Sequence, residues 1–232
     1  MNGLIDETFH TVIKAGGMKE RKKVPLIKEH NLAISVNGEQ EFSLTCINDL
    51  LYEFVVGRLL TTGYILGIED IKLISFDQSF ENANAILRCD SKGKIPKHKM
   101  KNAAPIEWNR EDIFELANDF SEGMPIHSVT QSTHSCLLAK GSTVLFSCED
   151  IGRHNTVDKA VGYAVLNNIN LAECTLYISG RIPVDMMQKV IFARIPVVVS
   201  KSVPTIDSVK LAKKYGVTLI AKAYPDQIEI FD

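Results

Sequence analysis

The residues best suited to chemistry gather in four loops of the second half of the chain, each directly after a short apolar segment. Such apolar runs are typical of buried strands, and the crevice beyond the carboxyl ends of parallel strands is the usual ligand site in α/β sheets. Two of the loops contain an arginine, whose planar donors suit phosphate groups. The pattern predicts a site for a phosphate-bearing ligand but specifies no reaction. The loops CEDIGRHN, SGR, SKSVPT and KAYPD follow STVLFS, CTLYI, PVVV and VTLI, respectively.

If the four strands are mostly parallel, these loops meet at one edge of the sheet, and three of them also open helices whose free N–H groups favour anions. A structural alternative stays open for single residues. Asp150 and Arg153 could form a local ion pair, Asn155 could cap a helix, and Gly180 could serve a tight turn. The residues expected at the edge are Glu149, Asp150, Arg153, His154, Asn155, Ser179, Gly180, Arg181, Ser200, Lys201 and Lys222.

The five cysteines are scattered and never form a Cys-x-x-Cys pair, which argues against a disulfide framework and against a structural metal site. A persulfide carrier needs an exposed thiol near positive charge. Cys89 precedes a basic stretch, residues 92–105, and Cys136 stands two residues after His134, so these two thiols are the candidate sulfur carriers. The other three, expected to be buried on strands, are Cys46, Cys148 and Cys174.

Two patterns in the sequence adjoin the candidate cysteines. His134 and Cys136 could be half of a metal site, but a buried thiol beside a hydrogen-bonded histidine is commoner, and no metal is predicted. The motifs of the zinc-dependent nucleobase deaminases are missing. The basic stretch is either a solvated tether or a flexible clamp over a polyanionic ligand. Its lysines are Lys92, Lys94, Lys97, Lys99 and Lys101.

The composition limits the classes of partner. The chain has 232 residues, a formal net charge of −2 and an ordinary globular composition. No global positive field recruits nucleic acid, and no apolar run approaches the length needed to cross a bilayer. The first residues do not form a signal peptide. We therefore predict a cytoplasmic protein without nucleic-acid or membrane partners.

The elements that must position these residues fall into two groups. Residues 1–105 predict a smaller α+β subdomain with a hairpin at Asn37-Gly38, a helix capped by Asn48 or Asp49, and strands near 71–76 and 84–88. Residues 106–232 predict a helix at about 110–120, followed by two strands joined at Gly141 and then alternating strands and helices. This alternation indicates an α/β domain with a mixed sheet flanked by helices.

One longer string is specific enough to suggest a family. CEDIGRHNTVDKAVG, residues 148–162, resembles the signature of the FdhD/NarQ family, the formate dehydrogenase accessory sulfurtransferases. Shorter matches in family order include STHSCLLA with His134, then ISGR, PVVVSKSVPT and YGVTLIAKA. LAISVNG and GRLLTTGYI in the first half resemble the family's Asn-Gly hairpin and the segment that ends its first helix. The resemblance runs from about residue 31 to the C-terminus.

The resemblance implies a cytidine deaminase-like fold with a smaller N-terminal subdomain, and binding of the molybdenum bis(guanine dinucleotide) cofactor near His134. Family members receive sulfur from a cysteine desulfurase as a persulfide on a Cys-x-x-Cys loop. They pass it to the metal before a formate dehydrogenase-type molybdenum enzyme takes the cofactor. By resemblance, the guanine-dinucleotide contacts lie after the last long strand, here Lys222, Ala223, Tyr224, Pro225, Asp226 and Gln227.

The chain departs from the family at the sulfur-carrying loop. Where the Cys-x-x-Cys belongs, it reads RCDSKGKIPKHKMK, in which Cys89 is the only thiol. Two hypotheses follow. The protein carries sulfur on Cys89 or Cys136, or it is a non-covalent cofactor chaperone or adaptor that holds the dinucleotide and the partner enzyme. The sequence leaves open whether it forms a homodimer.

Overall fold

The computed structural model describes residues 3–90, 94–95 and 97–231. The first half contains strands β1 Ile5–Ile13, β2 Lys19–Ile27, β3 His30–Val36, β4 Glu39–Cys46, β5 Ile71–Phe76 and β6 Asn82–Leu87, and helix α1 Leu51–Thr61. The second half contains helices α2 Arg110–Ser121, α3 Pro125–Thr130, α4 Arg153–Leu166, α5 Val184–Phe192 and α6 Ile206–Tyr215. Its strands are β7 His134–Lys140, β8 Thr143–Asp150, β9 Thr175–Ile178, β10 Val197–Ser200, β11 Thr218–Tyr224 and β12 Gln227–Ile230.

The second half is built on a six-stranded mixed sheet in the order β12-β11-β10-β9-β7-β8. Strands β9, β10 and β11 are parallel, and β7 is antiparallel to both β9 and β8. Strand β8 therefore runs in the same direction as β9 to β11. The carboxyl ends of these four strands lie at one edge, together with the amino end of β7, which confirms the predicted meeting of the four loops.

Helices cover both faces of this sheet because its strands are apolar on both sides. Leu137 and Tyr177 belong to a cluster with helix α2, and Ile113 and Phe120 are the helix residues in it. The alternate strand residues, including Leu138, join a larger core with helices α1, α4 and α5. The result is the mixed α/β architecture that the sequence predicts.

The first half forms a four-stranded sheet in the order β4-β3-β6-β5, with the predicted hairpin turning at Asn37-Gly38. The helix that follows is confirmed, but the predicted cap is wrong. Leu50 precedes α1 with a φ of 56° and no side-chain cap, so neither Asn48 nor Asp49 closes the helix. The predicted division at residue 105 stays a prediction, since one apolar core includes residues from both halves.

Three elements were not anticipated. Strands β1 and β2 form a separate hairpin, and α3 is a short helix that begins at Pro125. Strand β11 continues through Lys222 to Tyr224 and turns back into β12, so KAYPD is part of a hairpin instead of an open loop. Of the basic stretch, Lys92 lies outside the described residues, and the predicted mobility of the stretch stays a prediction.

Helices α1 and α4 cross with their backbones in contact. A Cβ atom added to Gly57 would lie 1.7 Å from the carbonyl oxygen of Asp158, and one added to Gly162 would lie 1.8 Å from the carbonyl oxygen of Glu53. Neither distance can be relieved by rotating a side chain, because the obstructing atoms are backbone. The two glycines thus allow the first half of the chain to pack directly on α4.

Replacing either glycine should therefore weaken the fold. Alanine in a helix interior gains about 1 kcal/mol over glycine in propensity, but the forced separation of two packed helices costs more. We expect Gly57→Ala and Gly162→Ala each to lower the free energy of unfolding by about 2–3 kcal/mol, measured by urea denaturation. Gly16→Ala is the control, because no atom lies within 4 Å of the added methyl group. Stability equal to wild type in both variants would contradict the crossing.

Candidate functional site

A cavity of about 590 Å³ opens at the predicted edge of the sheet. Its floor consists of strand ends and the residues that follow them, and its outer wall is the segment from α2 to α3. The edge residues are Thr133, Ser135, Ser179, Lys201, Ser202, Val203, Lys222 and Tyr224, and the wall residues are Phe120, Ser121, Gly123, Met124 and His127. Six of its thirteen lining residues carry a hydroxyl group, and the lining also includes two lysines, the Phe120 and Tyr224 rings and the His127 imidazole.

The two lysines of the cavity differ in their partners. Lys222 Nζ lies 2.9 Å from Glu229 Oε1, in a pair that is nearly half exposed. Lys201 makes no ion pair among the described residues, and its Nζ lies 5.6 Å from the centre of the Phe120 ring. Lys201 is thus the cation whose charge is available to an anionic ligand.

The backbone of Lys222 is strained. Its φ is +42°, in the left-handed region that favours glycine, and the strand has a bulge between Ala221 and Tyr224. The N–H of Lys222 donates to Ser202 O at 3.1 Å, which ties the bulge to the loop after β10. The neighbouring Ala223 is buried and accepts from the Tyr177 hydroxyl at 2.8 Å. The segment Tyr224 to Gln227 is exposed, with Pro225 and Asp226 at the turn.

Beside the cavity, His134, Ser179 and Arg153 meet around Gly180. His134 Nδ1 lies 3.2 Å from Ser179 Oγ, which also accepts from the N–H of Ser135 at 3.0 Å. A Cβ at Gly180 would lie 3.1 Å from Cβ and Cδ of Arg153 and 3.6 Å from His134 Nδ1. The absence of a side chain at Gly180 therefore allows the Arg153 side chain to pass close to this loop.

The charge state of His134 follows from this crowding. Burial lowers the pKa of His134, and the positive charge of Arg153 and the neighbouring His127 imidazole lower it further, against a smaller opposite effect of Asp150. The imidazole is consequently neutral at pH 7. Arg153 Nε is buried and has no hydrogen-bond partner in the part of the chain that the structure describes. Arg181, the other predicted phosphate ligand, is exposed, and neither arginine lines the cavity itself.

Two buried side chains hold the walls of the cavity. Glu149 accepts from the N–H groups of Ile126 and His127 at 2.7 and 2.6 Å and from the Thr133 hydroxyl at 2.8 Å. It thereby fixes α3. His127 Nδ1 lies 2.8 Å from Thr133 O and donates to it, since a carbonyl only accepts. Ser200 Oγ donates to Gly180 O at 2.8 Å and so connects two of the loops. Sequence reasoning missed His127 because α3 is too short to show a periodicity.

The side chain of Asp150 points into the protein interior. Its carboxylate lies 2.7 Å from Lys159 Nζ, and both side chains are 0% exposed. It also accepts from the N–H groups of Ile47 and Gly152 at 3.2 and 2.9 Å. The ion pair proposed with Arg153 is therefore wrong; Lys159 is the partner.

Asn155 extends the same network. Its amide donates to Asp150 Oδ1 and to Thr45 O, both at 2.8 Å. It does not cap the helix, because the residue that precedes α4 is Gly152. Both Asp150 and Asn155 therefore join the loop before α4 to the first half of the chain, and ligand binding by their side chains stays a prediction.

The cysteines divide into four buried thiols and one exposed thiol. Cys136 is fully buried, and burial followed by its neighbour Cys148 raises its pKa well above the usual value. Cys148 is buried and donates to Thr156 O at 3.3 Å. Burial raises the pKa of Cys46 to about 12 and that of Cys174 to about 11. The expectation that Cys136 carries sulfur is corrected, because a buried, protonated thiol meets neither a donor protein nor a cofactor.

Cys89 is the exposed one. It follows strand β6, and the amide of Asn37 donates to its sulfur at 3.3 Å. This contact places a hydrogen-bond donor on the sulfur without burying it. Elsewhere in the described ranges, no group of three His, Cys, Asp or Glu side chains could hold a metal ion. Nor does any described helix have the length and apolar character needed to cross a membrane.

Comparisons with known proteins agree with the resemblance seen in the sequence. The FdhD/NarQ family matches residues 88–232. Sulfur carrier protein FdhD of Wolinella succinogenes is 29% identical over 230 residues, covering 89% of this chain and 80% of that protein. Protein FdhD of Methanocaldococcus jannaschii is 33% identical over 207 residues, covering 88% and 86%.

The same relationship is visible in three dimensions. A crystal structure from Desulfotalea psychrophila, described as that of a candidate formate dehydrogenase accessory protein, superimposes with a TM-score of 0.86 and 27% identity. The superposition covers 99% of this chain and 97% of that one. With the family match extending over more than half of the residues, the chain belongs to the FdhD/NarQ family.

Proposed function

We propose that this protein serves the maturation of a formate dehydrogenase-type molybdenum enzyme and binds the molybdenum bis(guanine dinucleotide) cofactor in the edge cavity. Its similarity to a sulfur carrier protein and to a candidate formate dehydrogenase accessory protein supports this role. The observation that carries the binding proposal is Lys201, a lysine without an ionic partner in a 590 Å³ cavity lined by hydroxyl groups and aromatic rings. The cytidine deaminase-like description of the fold and a cytoplasmic location belong to the same proposal.

The cavity offers a different group to each part of a guanine dinucleotide. The Lys201 ammonium attracts a phosphate, and the hydroxyl groups of Ser135 and Ser202 are within the lining to donate to its oxygens. The Tyr224 ring, 38% exposed, is available to stack on a base. Ser135 lies within β7 and Lys201 directly follows β10, so the sheet positions these two groups before a ligand binds.

Not every predicted anion contact fits this role. The amino end of α6 is closed by a capping box, in which the Thr205 hydroxyl accepts from the N–H of Ser208 and the Ser208 hydroxyl accepts from the N–H of Thr205. Its first N–H groups are thus partly occupied. Arg153 and Arg181 lie outside the cavity lining, and in this proposal they meet the part of the cofactor that extends beyond it.

In the first version of this proposal the protein carries sulfur, and Cys89 is the residue that carries it. The thiolate of Cys89 attacks the outer sulfur of a desulfurase persulfide, the S–S bond breaks, and the desulfurase thiolate leaves. Cys89 then holds the persulfide. Cys89 is favoured over the other four cysteines because it is exposed and they are buried. The missing Cys-x-x-Cys favours the second version, in which the protein holds the cofactor and the partner enzyme without covalent chemistry.

Binding of GDP, measured by calorimetry, tests the cavity. We expect Lys201→Ala to weaken binding about ten- to hundredfold, since one charge-assisted hydrogen bond contributes about 1.5–3 kcal/mol. Arg153→Ala should weaken GDP binding less, because the arginine lies beside the cavity. Lys210→Ala on exposed α6, whose lysine pairs with Asp207, is the matched control and should bind as wild type. Wild-type affinity in Lys201→Ala would place the nucleotide elsewhere.

Incubation with a cysteine desulfurase and ³⁵S-labelled cysteine tests the carrier. Label should appear on the wild-type protein, be released by reductant, and disappear in Cys89→Ser, because this thiol alone is exposed. Cys136→Ser should label normally and serves as the control for a buried thiol. Label retained in Cys89→Ser would contradict the assignment. A protein that binds GDP but never takes up label would identify the non-covalent chaperone.

A further inference from the structure

A second cleft, of about 550 Å³, lies on the helix side of the molecule, between the first half of the chain and helices α4 and α5. It is separate from the edge cavity and shares none of its lining residues. Its polar lining consists of Arg58, Thr61, Thr62, His154, Asp185, Gln188 and Lys189, with Asn155 beside them.

Positive charge exceeds negative charge at its base. Asp158 is fully buried and lies 3.0 Å from Arg58 Nη2 and 2.7 Å from Lys189 Nζ. Its Oδ1 also accepts from the Thr61 hydroxyl at 2.6 Å. One carboxylate therefore serves two cations whose side chains are only 12% and 7% exposed. Another buried carboxylate, that of Asp150, is already paired with Lys159.

The remaining carboxylate of the cleft, that of Asp185, does not neutralise the positive charge at the base. Asp185 lies at the rim with its side chain 62% exposed, where solvent screens its charge. Its Oδ2 is 3.0 Å from His154 Nε2, but the two are not aligned for a hydrogen bond. Burial lowers the pKa of His154, and so do Arg153 and Lys189, which outweighs the opposite effect of the aspartates. At the base of the cleft, Arg58 and Lys189 thus share one carboxylate; burial lowers the pKa of Lys189, and the charge of Asp158 opposes that effect.

Some donors in the cleft are unused. Arg58 Nε is buried and has no hydrogen-bond partner within the described ranges, and neither has His154 Nε2, which donates when the ring is protonated or carries its proton on that nitrogen. Buried polar atoms without hydrogen-bond partners are uncommon in folded proteins. The exposed amide of Gln188 adds a further donor at the entrance. An oxyanion would satisfy both the charge and these donors.

We propose that this cleft is a second anion site that binds a phosphoryl group, recognised by Arg58 and Lys189 from below and by His154 and Gln188 from the side. The phosphoryl group can come from free phosphate or pyrophosphate, or from a nucleotide. The inference is independent of the edge cavity and does not require the cofactor proposed for it.

The histidines of the full-length protein report the two sites separately. His154 lines the cleft, whereas His127 lines the edge cavity and His134 adjoins it. Titration of the histidine C–H signals by NMR, with and without inorganic pyrophosphate, should show the pKa of His154 raised by about 0.5 when the anion is bound. The groups that face His154 in both titrations are Asp185, Arg153, Lys189 and Asp158. His154→Gln assigns the signal.

A charge placed at the entrance tests the site without dismantling the Asp158 pairs. Gln188→Glu keeps the size of the side chain, and its negative charge should weaken pyrophosphate binding at His154 about five- to tenfold. Gln188→Lys should strengthen it. Gln78→Glu makes the same change on the exposed turn between β5 and β6 and should leave binding unchanged.

The outcomes separate this proposal from the cofactor proposal. Pyrophosphate that moves only the signals of His127 and His134, or binding at His154 that is identical in Gln188→Glu and wild type, would overturn the cleft site and leave the edge cavity untouched. When pyrophosphate does move His154, GDP distinguishes the sources. A His154 shift with GDP identifies a nucleotide phosphate, and shifts confined to His127 and His134 identify a free phosphoryl anion.

Discussion

Two buried carboxylates, one on each side of the first turn of α4, fasten the halves of this protein together. Asp150 receives the N–H of Ile47 at the end of the first-half sheet, and Asp158 receives Thr61 and Arg58 from α1. Buried charges stabilise a fold only when each is paired and hydrogen-bonded, because the cost of removing them from water is otherwise not offset. Both carboxylates meet this condition, through Lys159 and Lys189. The close crossing at Gly57 and Gly162 brings the helices near enough for it.

This arrangement explains what the long signature string does. Within DIGRHNTVDKAVG, the residues Asp150, Asn155, Asp158, Lys159 and Gly162 are buried, and their polar groups or backbones contact protein. Three members of the string, Arg153, His154 and Lys159, have a buried side-chain nitrogen without a hydrogen-bond partner among the described residues, and of these Lys159 is compensated by its ion pair with Asp150. The main role of the string is thus structural, because its buried contacts fix the position of α4 against the first half of the chain. The ligand-facing residues of the edge cavity come from shorter and less distinctive segments, such as Lys201 and Tyr224.

Much of the second half could be predicted because its strands are apolar runs separated by glycine and polar turns. The edge cluster was predicted on the condition that the strands are mostly parallel, and three of its members, Ser179, Lys201 and Lys222, line one cavity together with Tyr224, which the family resemblance had suggested. What could not be predicted depends on side-chain direction and on partners distant in sequence. Asp150 pairs with Lys159 instead of the nearer Arg153, and Cys136 points into the core. Alternation of apolar residues cannot fix the facing of a cysteine, which is apolar enough for either side.

The conformation of Lys222 links the edge cavity to the local stability of the hairpin formed by β11 and β12. A residue other than glycine in the left-handed region costs about 1–3 kcal/mol, and here the cost falls on the bulge that leads into β12. Strand β12 is the outermost of the sheet and is only four residues long, so few interactions oppose its local opening. A ligand that contacts Lys222 and Tyr224 would have to work against that opening. Ligand affinity and amide-exchange protection in the last hairpin are therefore linked. A ligand that binds only the closed hairpin raises the free energy of local opening, and slower amide exchange measures that increase.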